Sequence, residues 1–210
     1  MSRLGSQRFS AVLLAAGLSR RMGGPNKLLL PVAGQPLVAR SLDTLLASGV
    51  AEAVVVLGHE AERVRTVLAP LAASGVARFV TNPEYETGQV SSVRAGLSAL
   101  SEAVDGVMIC LADQPALTAS DLIEVQRAFA ERPRGDFLVP IHDGQRGNPV
   151  VLAWPAVREV LEQGTNLGCR HFMDRHDERV YRWQAPNDHV LKDLDQPADY
   201  AALSKGGGDT

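Results

Sequence analysis

Arg20, Arg21 and Lys27 lie close together in the chain, interleaved with Gly17, Gly23 and Gly24 and with no acid among them. Glycines let a backbone turn tightly and bring its N–H groups against an anion, while arginine offers phosphate oxygens a planar fork and lysine a point charge. This spacing describes a phosphate cradle. It is not the Walker A loop, because no Gly-Lys-Ser/Thr occurs. Nor is it the dinucleotide fingerprint, because the second residue after Gly17 is Ser19. A second group with chemistry is Asp113, in V-M-I-C-L-A-D-Q-P. A carboxylate directly after a buried apolar run suits magnesium, which takes one or two carboxylates together with phosphate oxygens. The competing role for Asp113 is a cap on the next helix, although Thr118, Ser120 and Asp121 lie closer to it. A third group is Ser91 and Ser92, at the expected start of a helix. They serve either as its caps or as hydrogen-bonding groups for a base or ribose, and local sequence does not separate the two.

These groups need a scaffold that brings them to one edge. Ala11 to Ala16 is apolar without alternation, as in a parallel strand buried on both faces, and open α/β sheets bind ligands beyond the carboxyl ends of such strands. The pattern continues with a helix over 36–48, with Pro36 at its first position and Gly49 ending it, then a strand over 51–57 and a helix over 60–68. Next come a strand over 76–80, a helix over 91–100 (Val90, Val93, Leu97 and Leu100 at helical spacing) and a strand over 106–111. A helix over 120–131, a strand over 137–140, a glycine-containing hairpin around Arg146 and a helix over 154–162 follow. Strands alternating with amphipathic segments predict an α/β fold, a mostly parallel twisted sheet with helices on both faces.

The string L-A-A-G-x-S-x-R-M-G followed by Lys27 resembles the signature of nucleotidyltransferases with the Rossmann-like, GT-A-like fold. Within these the chain is most similar to the molybdenum cofactor cytidylyltransferases. The resemblance runs from about Ala11 to Ala202 through five segments in the family's order. It implies a nucleotide site made by Leu14, Ala15, Ala16, Gly17 and Arg20 together with the G-x-x-S-S segment, here Gly88, Ser91 and Ser92. Lys27 is implied on the α-phosphate and Arg21 on the β and γ phosphates, with Asp113 in the place of the family's D-x-P acid. R-G-N-P resembles the family's R-G-H-P element on the acceptor side, which assigns Arg146, Gly147 and Asn148 to the acceptor, with asparagine where histidine is usual. T-N-L-G-C-R resembles G-D-x-G-A-R, adding Gly168 and Arg170 to that side, while Asn166 replaces an acid and cannot supply its charge. The closing D-L-D-Q-P-A-D-Y resembles D-x-D-T-P-E-D-L, making Asp195 the second magnesium ligand or an N-cap, with Asp193 in reserve. The implied reaction is magnesium-dependent transfer of CMP from CTP to the terminal phosphate of molybdopterin, releasing pyrophosphate, with a transient contact to a molybdenum hydroxylase. The alternatives are a guanylyltransferase or other paralogue acting on another phosphorylated acceptor, and a non-catalytic protein that delivers finished cofactor. Ala16 favours CTP, because the relatives that transfer GMP usually read L-A-G-G here and a β-carbon takes space a purine would use.

With 210 residues, 45% hydrophobic and 21% charged, the chain is expected to form one domain over 9–204, with residues 1–8 and 205–210 as mobile tails. Residues 1–42 hold six cations and no acid, leaving −9 for the remainder of a chain whose net charge is −3. A local positive region on an acidic protein suits a small polyanion and argues against long nucleic acid. No apolar stretch reaches transmembrane length, and the run after Arg8 is too short for a secretory signal. Cys110 and Cys169 have no metal or redox spacing and the histidines no ligand spacing; a reducing cytoplasm is the expected setting.

Overall fold

The computed structural model describes residues 7–162 and 169–206. The first half runs β1 (Phe9–Ala15), the hairpin β2 (Pro31–Val32) and β3 (Gln35–Pro36), α1 (Leu37–Ala47), β4 (Glu52–Leu57), α2 (Ala61–Ala72), β5 (Ala77–Thr81) and α3 (Gln89–Ser98). The second runs β6 (Gly106–Leu111), α4 (Ala119–Glu131), β7 (Phe137–His142), β8 (Gln145–Arg146), β9 (Val150–Leu152), α5 (Trp154–Glu162), α6 (Cys169–Arg175), β10 (Val180–Gln184) and α7 (Pro197–Gly206).

β1 is buried on both faces for the reason its sequence suggests. Phe9, Ala11, Leu13 and Ala15 point into a core shared with α1, α2 and α4, while Val12 and the following Ala16 point into one shared with α3, α5 and α6. Leu13 and the Val54–Leu57 stretch of β4 are at most 1% exposed. Each such aliphatic side chain contributes about 1.5–3 kcal/mol of burial, enough to fix the strand ends on which a site depends. Gly96 lets α3 lie directly on β1: a β-carbon there would sit 2.2 Å from Val12 Cγ1.

The main sheet is ordered β10-β7-β9-β6-β1-β4-β5, with β8 folded onto β7. Only the pairings of β8 and β9 are antiparallel; β5-β4-β1-β6 and β7-β10 are parallel. The expected mostly parallel sheet with helices on both faces is thus the observed fold. From β1 the chain winds outward through β4 and β5, then returns to lay β6 on the other side of β1. That reversal is a topological switch point, where such sheets leave a crevice beyond their carboxyl ends.

Several boundaries differ from the sequence reading. Pro36 caps α1 and pairs in β3 instead of opening the helix. α2 continues through Pro70 to Ala72, beyond Leu68, the last of its buried residues. β7 extends to His142, because Asp143 and Gly144 (φ 47° and 76°) turn the chain sharply into β8, as primed two-residue hairpins do. Ser91 and Ser92 do not cap α3: the cap is Gly88, with φ 121° and ψ 175°, a conformation open to glycine, and the helix starts at Gln89. Arg8 is tied down, its backbone N–H donating to Asp105 (2.7 Å) and its guanidinium to Glu102 (3.0 Å). Cys110 is buried, and that burial pushes its thiol up to about 12, so it packs as a small hydrophobe.

Candidate active site

The loop after β1 presents Lys27 from a short braced turn. Ser19 (φ 51°) accepts the Lys27 backbone N–H on its hydroxyl (3.1 Å), and Asn26 Oδ1 accepts that of Leu28 (3.1 Å), capping the 3-10 turn Lys27–Leu29. From there Lys27 Nζ donates to Asp113 Oδ2 (2.5 Å), to the Leu194 carbonyl (2.8 Å) and to Asp195 Oδ1 (3.1 Å). Arg21 Nη1 donates to Asp195 Oδ2 (2.8 Å). Asp113 arrives from β6, whose ladder with β1 is extended by the Ala112 N–H bonding the Leu14 carbonyl (3.2 Å). Four residues singled out from sequence, 21, 27, 113 and 195, therefore meet at the switch point although they are far apart in the chain.

Asp195 is brought in by the segment that follows β10. Asp121 Oδ1 accepts Asn187 Nδ2 (2.8 Å) and its Oδ2 meets His189 Nδ1 (2.9 Å). Gln114 Nε2 donates to the Val190 carbonyl (3.0 Å) and to Asp193 Oδ1 (2.9 Å), and the Leu194 N–H donates to the Asp113 carbonyl (2.8 Å). Asp195 is not a helix cap. Its carboxylate faces Lys27 and Arg21, while Asp199, in the first turn of α7, accepts the N–H groups of Asp195 (2.9 Å) and Gln196 (2.7 Å) and so ties this segment to the helix start. Gln114 and Asp121 were not legible as site-building residues; their partners lie more than sixty positions away, and no local spacing signals such bonds.

Three carboxylates share this corner with Lys27 and Arg21. Asp193 shows the crowding: partial desolvation and then the Asp113 and Asp195 charges push its carboxyl up to about 6, against the bond from Gln114. Among the described residues, Asp113 Oδ1 is buried and accepts no hydrogen bond. An open, buried carboxylate oxygen beside a second carboxylate fits a hard dication. No three His, Cys, Asp or Glu side chains among the described residues form a cage, but magnesium needs none when substrate phosphate oxygens complete its shell.

A cleft with two lobes opens here, each about 490 Å³. The first is lined by Leu14, Ala16, Gly17, Arg20, Arg21 and Lys27 on one side and by Gly88 and Ser92 on the other, with Asp113 and Asp195 at its base. The second holds Arg146, Gly147 and Asn148. Gln89, Leu111 and Asp193 border both. Two residues expected at the nucleotide are elsewhere. Ala15 faces the opposite core, as strand alternation dictates, and the single Ser91 hydroxyl proton is shared between the carbonyls of Glu84 and Gly88 (2.9 Å from each). Arg146 bonds Asp174 (2.6 Å), and a β-carbon on Gly147 would stand 2.5 Å from the Val190 carbonyl. Asn166, Gly168 and the Arg170 side chain lie outside the described residues. Tyr85, Glu86 and Gln89 also line the first lobe and carried no sequence signal. Buried Asn82 shapes this wall, donating to the Ser91 and Ser92 hydroxyls (2.9 and 3.0 Å) and accepting the Glu84 N–H (2.9 Å).

Residues 11–180 match the MobA-like NTP transferase domain. The chain belongs to that family. Among curated proteins it is 33% identical over 169 residues to the Bifunctional protein GlmU of Sinorhizobium fredii, covering 80% of this chain and 35% of that protein. The chain thus spans about a third of the length of such relatives. Among solved structures, a nucleotidyl transferase from Methanothermobacter superposes with a TM-score of 0.78 at 24% identity, over 97% of this chain and 98% of the other. A Mycobacterium tuberculosis protein solved in complex with manganese gives 0.75 at 21% identity, over 95% and 98%. A CMP:2-keto-3-deoxy-manno-octonic acid synthetase complexed with CTP gives 0.67 at 13% identity over 95% of this chain and 97% of that one, a likeness of fold. No helix among the described residues is long and apolar enough to cross a membrane.

Proposed function

We propose that this family member transfers CMP from CTP to the terminal phosphate of molybdopterin or molybdenum cofactor. The observation that carries the reading is the junction of Lys27, Asp113 and Asp195 in the first lobe of the cleft, next to the lobe that holds Arg146. One lobe has the cradle for a triphosphate, the other a cation for a phosphorylated acceptor. An acceptor phosphate oxygen attacks the α-phosphorus in line, a P–O bond forms as the bond to the β-phosphate breaks, and pyrophosphate leaves. No covalent enzyme intermediate is needed.

Both reactants are anions, so the chain's contribution is to position them and to offset charge. Lys27 meets the α-phosphate, Arg21 and Arg20 the β and γ phosphates, and Arg146 grips the acceptor phosphate with its fork. A divalent ion, magnesium by expectation, held by Asp113 and Asp195, would supply further positive charge on phosphate oxygens. Ala16 lines the first lobe, and its β-carbon is the feature on which the proposed preference for a pyrimidine rests. Incubation with CTP, magnesium and molybdenum cofactor, followed by mass analysis of the pterin, should show addition of one CMP. An unmodified pterin alongside a nucleotidylated product of another acceptor would replace the acceptor assignment.

A further inference from the structure

The cations Lys27 and Arg21 are paired with the carboxylates Asp113 and Asp195. Asp113 and Asp195 together have four carboxylate oxygens. Lys27 Nζ holds Asp113 Oδ2 and Asp195 Oδ1, Arg21 holds Asp195 Oδ2, and Asp113 Oδ1 alone is left buried and unbonded. Lys27 also bonds the Leu194 carbonyl, so each of its three ammonium protons has an oxygen, and its side chain is only 11% exposed. Hard oxygens of this kind are what a divalent cation takes, and a cation seated among them repels another.

We infer that Lys27 is an internal placeholder for the metal: the free protein excludes a divalent ion until a nucleotide's phosphates draw Lys27 and Arg21 off the carboxylates. The inference rests on the proposed role of Lys27 at the phosphates. It gives that residue a second task, as a gate on metal binding. The metal then enters with the nucleotide or after it, and a bare metal ion does not occupy the acids first. Placing the ammonium this way also keeps two neighbouring acids from facing each other unpaired, a costly arrangement where solvent is scarce.

The test is Mn2+ binding without nucleotide, followed by electron paramagnetic resonance, on the wild type and on Lys27→Met and Lys27→Gln. The expected result is at least ten-fold tighter binding of one Mn2+ per chain in both variants, abolished when Asp113→Asn is added. Because unpaired acids could weaken the fold, thermal midpoints are read in parallel; Mn2+ should raise those of the variants and leave the wild type unmoved. Equal Mn2+ affinity and equal thermal response in wild type and variants would overturn the inference. That failure is separate from failure of the proposed reaction, since CMP transfer by the wild type is assayed independently of bare-metal binding.

Discussion

At the scale of single residues, Asp113 carries the heaviest demand. Its Oδ2 bonds Lys27 and its Oδ1 is buried and open, so a neutral amide would lose both the ion pair and the ligand charge. Asp113→Asn should lower turnover at least a hundred-fold, the several kcal/mol that charge stabilisation of a phosphoryl transition state is worth, while circular dichroism stays native. Near-normal turnover would remove Asp113 from the chemistry. Ala16 bears on specificity. It lines the first lobe beside Leu14 and Gly17, where the proposed base would lie. Ala16→Gly should narrow the preference for CTP over GTP by about 1–3 kcal/mol, read as a ratio of kcat/KM values. An unchanged ratio would place base selection elsewhere on that wall.

Among the elements, the N-terminus of α4 does more than begin a helix. Asp121 forms a capping box with Thr118 and clamps Asn187 and His189, holding the segment that delivers Asp195. Burial alone would raise its carboxyl, but hydrogen bonds from Asn187, Thr118 and His189 outweigh that and bring it down to about 2. With the folded value below the ordinary 3.8, its stabilisation is fully present above pH 3.8 and is lost as pH falls through about 2. Asp121→Ala should cost about 0.5–2 kcal/mol in urea unfolding at pH 7, with the gap to wild type closing in that acid window, and should lower kcat as Asp195 loosens. A constant gap down to pH 2 would contradict the role of the charge. The sequence revealed strand ends better than helix starts for a physical reason. The apolar run ending at Ala16 and the one ending before Asp113 needed only burial to be read, and both proved to be neighbouring strands. Ser91 and Ser92 matched the chemistry of caps, but the positive φ at Gly88 had already begun the helix, and a backbone angle leaves no mark in residue type beyond the glycine itself. The Gln114 side chain bonds residues more than seventy positions away, and Asp121, readable as a local cap beside Thr118, also holds Asn187 and His189 more than sixty positions on, so no spacing in the chain pointed to those longer bonds.

For the molecule as a whole, three of the described cations in the first forty residues are paired with acids. Arg8 is spent on Glu102, and Arg21 and Lys27 on the acids of the site. What remains is a cleft whose two lobes meet at Gln89, Leu111 and Asp193, consistent with two substrates that approach from different sides. Arg146→Ala should therefore raise the KM of the phosphorylated acceptor about ten-fold or more and leave that of CTP near its original value, as loss of a charged hydrogen bond in one lobe requires. Equal effects on both substrates would merge the lobes into one site. The most direct measurement is the initial rate of pyrophosphate release with CTP, GTP, ATP or UTP in parallel, each with magnesium, with and without molybdenum cofactor. The account predicts release that depends on the cofactor and is fastest with CTP. Release with GTP in preference to CTP, or no dependence on the cofactor with any nucleotide, would contradict it.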